Sequence, residues 1–329
     1  MPDNAYRPPF TVTEPIISLV SDISERIGSI TAWQHMNANP RLRRDSRIRS
    51  IHGTLAIENN TLSLSQVTDV INGKRVLGAP EEIREVKNAY EAYERLLSFD
   101  PYSVDDLLKG HAVLMNGLVR EAGRFRCGGV GVFKGEQAVH MAPPAGFVPE
   151  QIASLLAWVR NTQTHPLIKS CVFHYEFEFI HPFADGNGRM GRMWHTLLLY
   201  RWKPVFAWIP VEAIIRERQD EYYQALRNAD QAADATPFVA FLLRAILDTL
   251  RQIEQDQKPA PALAPKLQLL LRKLGDEALP AAEIMRRMGL KNRPAFLGGY
   301  LHPAIAQGLI EMTLPDKPSS KNQRYRRKR

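Results

Sequence analysis

Hydrophobic positions recur at helical spacing through most of this chain. Ile16, Leu19, Val20, Ile23, Ile27 and Ile30 predict a helix over 16–36. Pro40 interrupts, a basic stretch from Arg41 to Arg49 follows, and Ile48, Ile51 and Leu55 predict a second helix over about 46–60. Leu64, Val67, Val70 and Ile71 form a stripe closed by the turn Asn72-Gly73. The charged segment Glu82 to Leu97 turns Ile83, Val86, Tyr90, Tyr93 and Leu97 inward. Ser103 is placed to cap a helix from Val104 to Leu118, and Ile152, Leu155, Leu156 and Val159 predict one over 148–165. Two adjacent stripes come next, Ile168, Cys171, Val172, Tyr175 and Phe179, then Met190, Met193, Leu197 and Tyr200. Helices over 216–228 and 238–253 complete this part. The helical period fails between 119 and 147. There Gly128-Gly129, the alternating Val130 and Val132, a Lys134-Gly135 turn and Val139 before Pro143-Pro144 read as a β-hairpin.

Gln255-Asp256-Gln257-Lys258-Pro259-Ala260-Pro261 has the composition of a linker. Beyond it, Leu267 to Leu274, Pro280 to Arg287 and Pro294 to Gly299 read as helices, the last two joined through Gly289-Leu290, and 308–313 reads as a strand. That order predicts a winged helix.

The densest chemistry lies where one helical stripe hands over to the next: His181-Pro182-Phe183-Ala184-Asp185-Gly186-Asn187-Gly188-Arg189-Met190-Gly191-Arg192. Pro182 stops the first helix, and the Gly-Asn-Gly run permits a tight turn whose amides converge at the start of the second. Such a helix N-terminus carries unpaired N–H groups and partial positive charge, so it suits an anion. Arg189 and Arg192, spaced i and i+3, add two guanidinium forks on neighbouring positions, which suits a polyphosphate. Asp185 is placed to hold a divalent metal arriving with that phosphate, and His181 to act as a general base.

These twelve residues match the signature of the Fic family, His-x-Phe-x-(Asp/Glu)-Gly-Asn-Gly-Arg-x-x-Arg, without a departure. The resemblance implies a mainly α protein: a Fic-type helical core with a β-hairpin flap, plus a C-terminal winged helix. It implies transfer of AMP from ATP to a Ser, Thr or Tyr hydroxyl of a protein, including the chain itself. By the same resemblance His181 is catalytic, and Asp185, Gly186, Asn187, Gly188, Arg189, Gly191 and Arg192 bind ATP and its phosphates. Mg²⁺ or Mn²⁺ sits on Asp185, and Ala138, Val139, His140 and Met141 form the flap that registers the target segment. Tyr222, Tyr223 and Asp230 resemble the nucleoside pocket, with Asp230 standing where the family has Asn. The expected domains are an N-terminal helical region over 1–100, the core over 101–254 and the winged helix over 260–329.

Glu58 falls into the apolar stripe of the second helix, seven residues after Ile51. A carboxylate there is disfavoured by desolvation and by the helix dipole unless a cation meets it. The pattern leaves open whether Glu58 is buried or frays into solvent at the Asn59-Asn60 cap. Thr54 to Asn59 is similar to the Fic inhibitory motif, (Ser/Thr)-x-x-x-Glu-(Gly/Asn), and the resemblance implies that Glu58 pairs with Arg192 and autoinhibits the enzyme. Removal of AMP by the same site, and a DNA-binding regulator acting through the winged helix, remain as alternative readings.

Composition adds the setting. The net charge is +8, and the seven bases within 317–329 leave +1 for the rest, so the basicity reads as a tail. DNA contact through the winged helix or that tail, and a homodimer, stay open. Cys127 and Cys171 suggest neither a disulfide framework nor a zinc site, and no apolar run is long enough for a membrane span. A cytoplasmic protein without membrane association is expected.

Overall fold

The computed structural model describes residues 6–29, 40–129, 131–134, 137–257, 264–318 and 320–328. The described residues up to Gln257 form one compact unit and those from 264 a second. The expected regions 1–100 and 101–254 share the first. Its helices are α1 (Glu14–Ser29), α2 (Pro40–Ile57), α3 (Leu64–Ile71), α4 (Pro80–Arg95), α5 (Val104–Leu114), α6 (Val148–Asn161), α7 (Pro166–Ile180), α8 (Asn187–Trp202), α9 (Val211–Glu217), α10 (Gln219–Ala232) and α11 (Thr236–Gln257). Strands β1 (Gly131–Lys134) and β2 (Gln137–Met141) form an antiparallel hairpin, with Val132 opposite His140 and a register shift after Val132. Val130, the Gly135 turn and Ile30 to Met36 of the first expected helix lie outside the described residues.

Two differences from the expected elements have clear causes. Pro40 opens α2 instead of interrupting it, because a missing N–H costs nothing in a first helical turn. The basic stretch is thereby helical. Arg43 and Arg47 lie over the Trp208 ring at 5.4 and 4.6 Å, and Arg47 also pairs with Glu94. The second difference is on α7. Phe179, expected inward, is 37% exposed, while Phe173 and Phe177 are fully buried. α7 runs between two cores and is apolar nearly all round, so a single stripe does not describe it. One core gathers α1, α10 and α11 with one side of α7; the other gathers α2 to α6 with its opposite side and α8.

α2 is held close against α9. A Cβ on Gly53 would come within 2.8 Å of the Glu212 backbone, so only glycine permits the approach. The Glu212 side chain is 1% exposed and accepts hydrogen bonds from Ser50 (2.7 Å), Tyr93 (3.0 Å) and Thr196 (3.3 Å). One buried carboxylate thus ties α2, α4 and α8 together, with its oxygens satisfied as burial requires.

The second unit contains α12 (Pro265–Leu274), α13 (Ala281–Met288), α14 (Arg293–Phe296), a π turn over 297–301 and α15 (His302–Ala306). β3 (Ile310–Met312) pairs antiparallel with β4 (Tyr325–Arg327), and Leu279 bridges to Tyr325, which gives the wing of a winged helix. The basic C-terminus is therefore not merely a tail. Part of it is the returning strand: Tyr325 is buried, Arg326 pairs with Glu311 at 2.6 Å, and Arg327 donates to the Leu271 carbonyl at 2.7 Å.

Among the buried histidines of the first unit, His174 and His195 are neighbours, with ring centroids 5.5 Å apart. Burial pulls both well below the ordinary imidazole value, His195 to about 3. In the unfolded chain each takes up a proton near pH 6.5. Below that pH the unfolded state holds more protons, so stability is complete above about pH 6.5 and falls as the pH drops toward 3. A His195→Gln variant should lower the pH-dependence of the unfolding free energy below pH 6 by about one proton, roughly 1.4 kcal/mol per pH unit. Urea denaturation at pH 7.5, 6 and 5 measures it, and an unchanged slope refutes the assignment.

Candidate active site

The site is built at the junction of α7 and α8. α7 ends on His181, which adopts a left-handed conformation (φ 49°, ψ 62°) while its N–H still donates to the Phe177 carbonyl at 2.9 Å. Its Nδ1 lies 3.2 Å from the Glu178 carbonyl oxygen. A carbonyl only accepts, so Nδ1 carries the proton and Nε2 is the basic nitrogen of the neutral ring.

The loop from Pro182 to Gly186 is shaped by side chains that grip its backbone. Asn187 Oδ1 accepts from the Phe183 N–H at 2.8 Å, and Asn187 Nδ2 donates to the Phe183 carbonyl at 2.9 Å. Asn187 is 2% exposed, so its side chain serves the loop's shape. Gly186 caps α8 at φ 84°, where a Cβ would also press on Met115 Sδ at 2.6 Å. Its N–H donates to Asp185 Oδ1 at 2.6 Å, and the Asp185 side chain is otherwise 59% exposed.

The two arginines of the motif are buried and held from α2 and α4. Arg189 donates to Glu85 Oε1 at 2.7 Å and reaches both Asp185 oxygens at 3.3 Å. Its Nε is buried with no hydrogen-bond partner among the described residues. Arg192 is 1% exposed. Its Nε donates to Thr54 Oγ1 at 2.8 Å, and its Nη2 donates to the Thr54 carbonyl at 3.1 Å and to Glu58 Oε1 at 2.6 Å. Burial alone would lower the Arg192 pKa, but the charge and hydrogen bond of Glu58, together with Tyr222 and Glu178, outweigh it and hold the guanidinium firmly ionised. The Glu58 carboxylate stands over the first turn of α8: a Cβ on Gly188 would collide with Glu58 Oε1. Gly191 is likewise a close approach, its missing Cβ lying 2.7 Å from Glu178 Oε1.

α2 ends at Ile57 with Asn59 in the left-handed region (φ 68°). Glu58 therefore projects from the residue just past the helix, its side chain 31% exposed. The structure thus brings His181, Asp185, Gly186, Gly188, Arg189, Arg192 and Glu58 to one place. Tyr222, Tyr223 and Asp230 have other immediate partners. Tyr222 is 1% exposed and bonds His174 at 3.2 Å, Tyr223 reaches the Ile57 carbonyl at 3.4 Å, and Asp230 accepts from Tyr175 at 2.9 Å. The expected flap residues Ala138 to Met141 lie on β2.

Two side chains that sequence reading did not single out hold this loop from outside. His111 of α5 accepts the Gly123 N–H at Nδ1 (2.9 Å) and meets the Asp185 carbonyl at Nε2 (3.0 Å). Its ring stacks on Phe183 at 3.7 Å with the planes 3° apart. Arg126 touches the loop from the hairpin side, its Nε donating to the His181 carbonyl. The only sequence signal for His111 is a polar residue in a helix whose other side faces the core.

A helical core that presents a histidine, a Gly-Asn-Gly turn and two buried arginines at one helix junction defines a Fic-type domain. The Fic/DOC family profile matches residues 101–199, and that of the "Filamentation induced by cAMP protein Fic-like, C-terminal domain" matches 265–327. A solved Fic family protein from Desulfovibrio desulfuricans G20 is 53% identical, covers 98% of both chains and superposes with a TM-score of 0.75. The chain belongs to the Fic family. A solved portion of Fic-1 from Caenorhabditis elegans shares the fold at 24% identity, with a TM-score of 0.61 over 74% of this chain and 72% of that one. In sequence, "Protein adenylyltransferase fic-1" is 32% identical over 253 residues in C. elegans and 30% over 252 in Caenorhabditis briggsae. Each match takes in 70% of this chain and 47% of the relative, so the chain spans about half the length of the curated relatives it matches.

His111→Ala leaves the Asp185 carbonyl and the Gly123 N–H without partners and opens a void beside Phe183. The expected loss is about 2–4 kcal/mol of unfolding free energy. Urea denaturation measures it, and a loss under about 0.5 kcal/mol, the range of surface substitutions, would show that the ring carries no such role.

Proposed function

We propose that this chain transfers AMP from ATP to a hydroxyl side chain of a protein, itself included, and that Glu58 holds it in an inhibited state. The relatives named protein adenylyltransferase support the reaction class. The observation that carries the inhibition is the Glu58–Arg192 ion pair at 2.6 Å, with the carboxylate packed over Gly188. An anion at that point meets the amides of the first turn of α8 and its dipole, where a nucleotide's phosphates would otherwise bind.

In the reaction so read, the hydroxyl oxygen of the target attacks the α-phosphorus of ATP. The bond from that phosphorus to the β-phosphate oxygen breaks, pyrophosphate leaves, and the hydroxyl proton goes to His181 Nε2. The N-terminal amides of α8, at Gly186 to Gly188, receive phosphate oxygens. Arg189 and Arg192 neutralise the leaving pyrophosphate, and the Arg189 Nε lacking a partner suits that role. Asn187 contributes by fixing the loop through Phe183. By the family resemblance the nucleoside would lie toward Tyr222, Tyr223 and Asp230, whose present hydrogen bonds to His174, Ile57 and Tyr175 would then be second to it. Residues 138–141 receive the target segment along the strand edge.

Among the described residues no group of three His, Cys, Asp or Glu side chains stands where it could hold a metal ion. The lone, largely exposed Asp185 fits Mg²⁺ or Mn²⁺ that arrives with the nucleotide and completes its oxygen shell from phosphate and water. Bound there, the ion would supply charge neutralisation at the phosphates. No helix among the described residues is long and apolar enough to cross a membrane. The exposed free thiol of Cys127 supports a reducing, cytoplasmic setting.

Glu58→Gly should raise AMP incorporation at least about tenfold, since freeing Arg192 for the phosphates is worth more than 1.4 kcal/mol. Mass spectrometry after incubation with ATP and Mg²⁺ reads the added AMP, and equal labelling of wild type and variant would remove the inhibitory role. His181→Ala in the Glu58→Gly background should abolish transfer and leave ATP affinity within about twofold, because the base touches no phosphate in the ground state. Calorimetric titration together with labelling checks both, and retained turnover would rule out His181 as the base. Incubating the Glu58 form with an adenylylated protein separates this reading from AMP removal.

A further inference from the structure

Arg126 stands between α5 and the hairpin and is 4% exposed. Its main-chain N–H donates to the Pro182 carbonyl at 3.0 Å. Its guanidinium then divides in two directions. Toward the catalytic turn, Nε donates to the His181 carbonyl at 2.7 Å and Nη2 to the Ile180 carbonyl at 3.2 Å. Toward the hairpin, Nη1 donates to the Gly128 carbonyl at 2.9 Å and Nη2 to the Pro143 carbonyl at 2.5 Å. Gly128 precedes β1 and Pro143 follows β2, so one planar fork holds both feet of the hairpin and the last carbonyls of α7.

Two physical needs meet here. The C-terminal carbonyls of a helix have no partner within it and carry partial negative charge, so a cation is the right group to close α7. His181 also sits in a left-handed conformation that a residue with a Cβ holds only at a cost of roughly 1–2 kcal/mol, so its surroundings must hold it there. Donation by Arg126 to the carbonyls of 180, 181 and 182 supplies that restraint. A lysine offers its donors from a single atom and cannot span acceptors on both sides, whereas the guanidinium is built as a fork.

We infer that Arg126 is a positioning residue for the reaction: it fixes the imidazole of His181 relative to the hairpin, and so aligns the base with a hydroxyl presented on β2. The inference rests on the adenylyltransfer reading above. It differs from a role in phosphate binding, since no group of the Gly186–Arg192 turn touches the Arg126 guanidinium in the contacts described.

The test uses the full chain in the Glu58→Gly background. Arg126→Gln and Arg126→Lys are compared with their parent for kcat and KM toward ATP, for thermal unfolding and for amide hydrogen exchange. Misplacing a base by about 1 Å costs on the order of 100-fold, so both variants should lose about 10- to 100-fold in kcat with KM for ATP within about twofold. Exchange should speed up by about tenfold or more at 137–141 and at His181 and Phe183 and stay unchanged in the middle of α8. The lysine variant, which keeps the charge at the end of α7, should recover the unfolding temperature without recovering kcat. The inference is overturned if Arg126→Lys turns over within about twofold of the parent, or if exchange rises uniformly across the unit. If the Glu58→Gly parent itself transfers no AMP, the functional reading fails, and the exchange pattern alone decides whether Arg126 joins the hairpin to the turn.

Discussion

A carboxylate from the end of one helix neutralises a buried guanidinium at the start of another, and most of the first unit is arranged so that the two can meet. Arg192 is too deeply buried to stand alone, because an uncompensated charge there would be costly. Thr54 and Glu58 share it, Thr54 from the last turn of α2 and Glu58 from the residue just past it. That turn is in reach only because α2 lies hard against α9 at Gly53, with Glu212 gathering hydroxyls from three helices beneath it. The ion pair therefore also depends on a buried carboxylate and on the missing methyl group of Gly53, next to Thr54. A change in either loosens the part of α2 that carries Glu58.

The same economy shapes the catalytic turn. Its backbone is not stabilised by a regular ladder. It is held by side chains that treat carbonyls and amides as acceptors and donors, Asn187 on Phe183, His111 on Asp185 and Arg126 on 180 and 181, with the Arg126 main-chain N–H on 182. Each grips a different stretch, so the turn is restrained along its whole length. The strained His181 is one point in this frame, and the left-handed Gly186 is the other.

How much of this was legible in the chain differs element by element. The helical stripes of α4, α6 and α8 fall where their apolar spacing places them, because an amphipathic helix on one core shows its buried side directly in the sequence, whereas Leu64 at the start of the α3 stripe is 40% exposed. α7 departs from its expected stripe because it has core on two sides, and periodicity cannot say which of several apolar faces is left for Phe179. Pro40 read as a break and is a helix start, since a proline signals a boundary without saying on which side the helix lies. β4 was unreadable as a strand: it is three residues long and rich in arginine, and it exists because β3 and Leu279 lie beside it.

The sequence by itself determined the helical class, the hairpin between α5 and α6, and the twelve residues at the α7–α8 junction, because each depends on neighbours within a few positions. It also marked Glu58 as a carboxylate in an awkward place. Only the tertiary structure decided that Glu58 meets Arg192, 134 positions further on, that His111 and Arg126 grip the turn, and that Glu212 holds α2 in reach. Those pairings are made by side chains whose own surroundings carry no periodic signal. They come into being when distant helices close on one another, and local spacing holds no record of that closure.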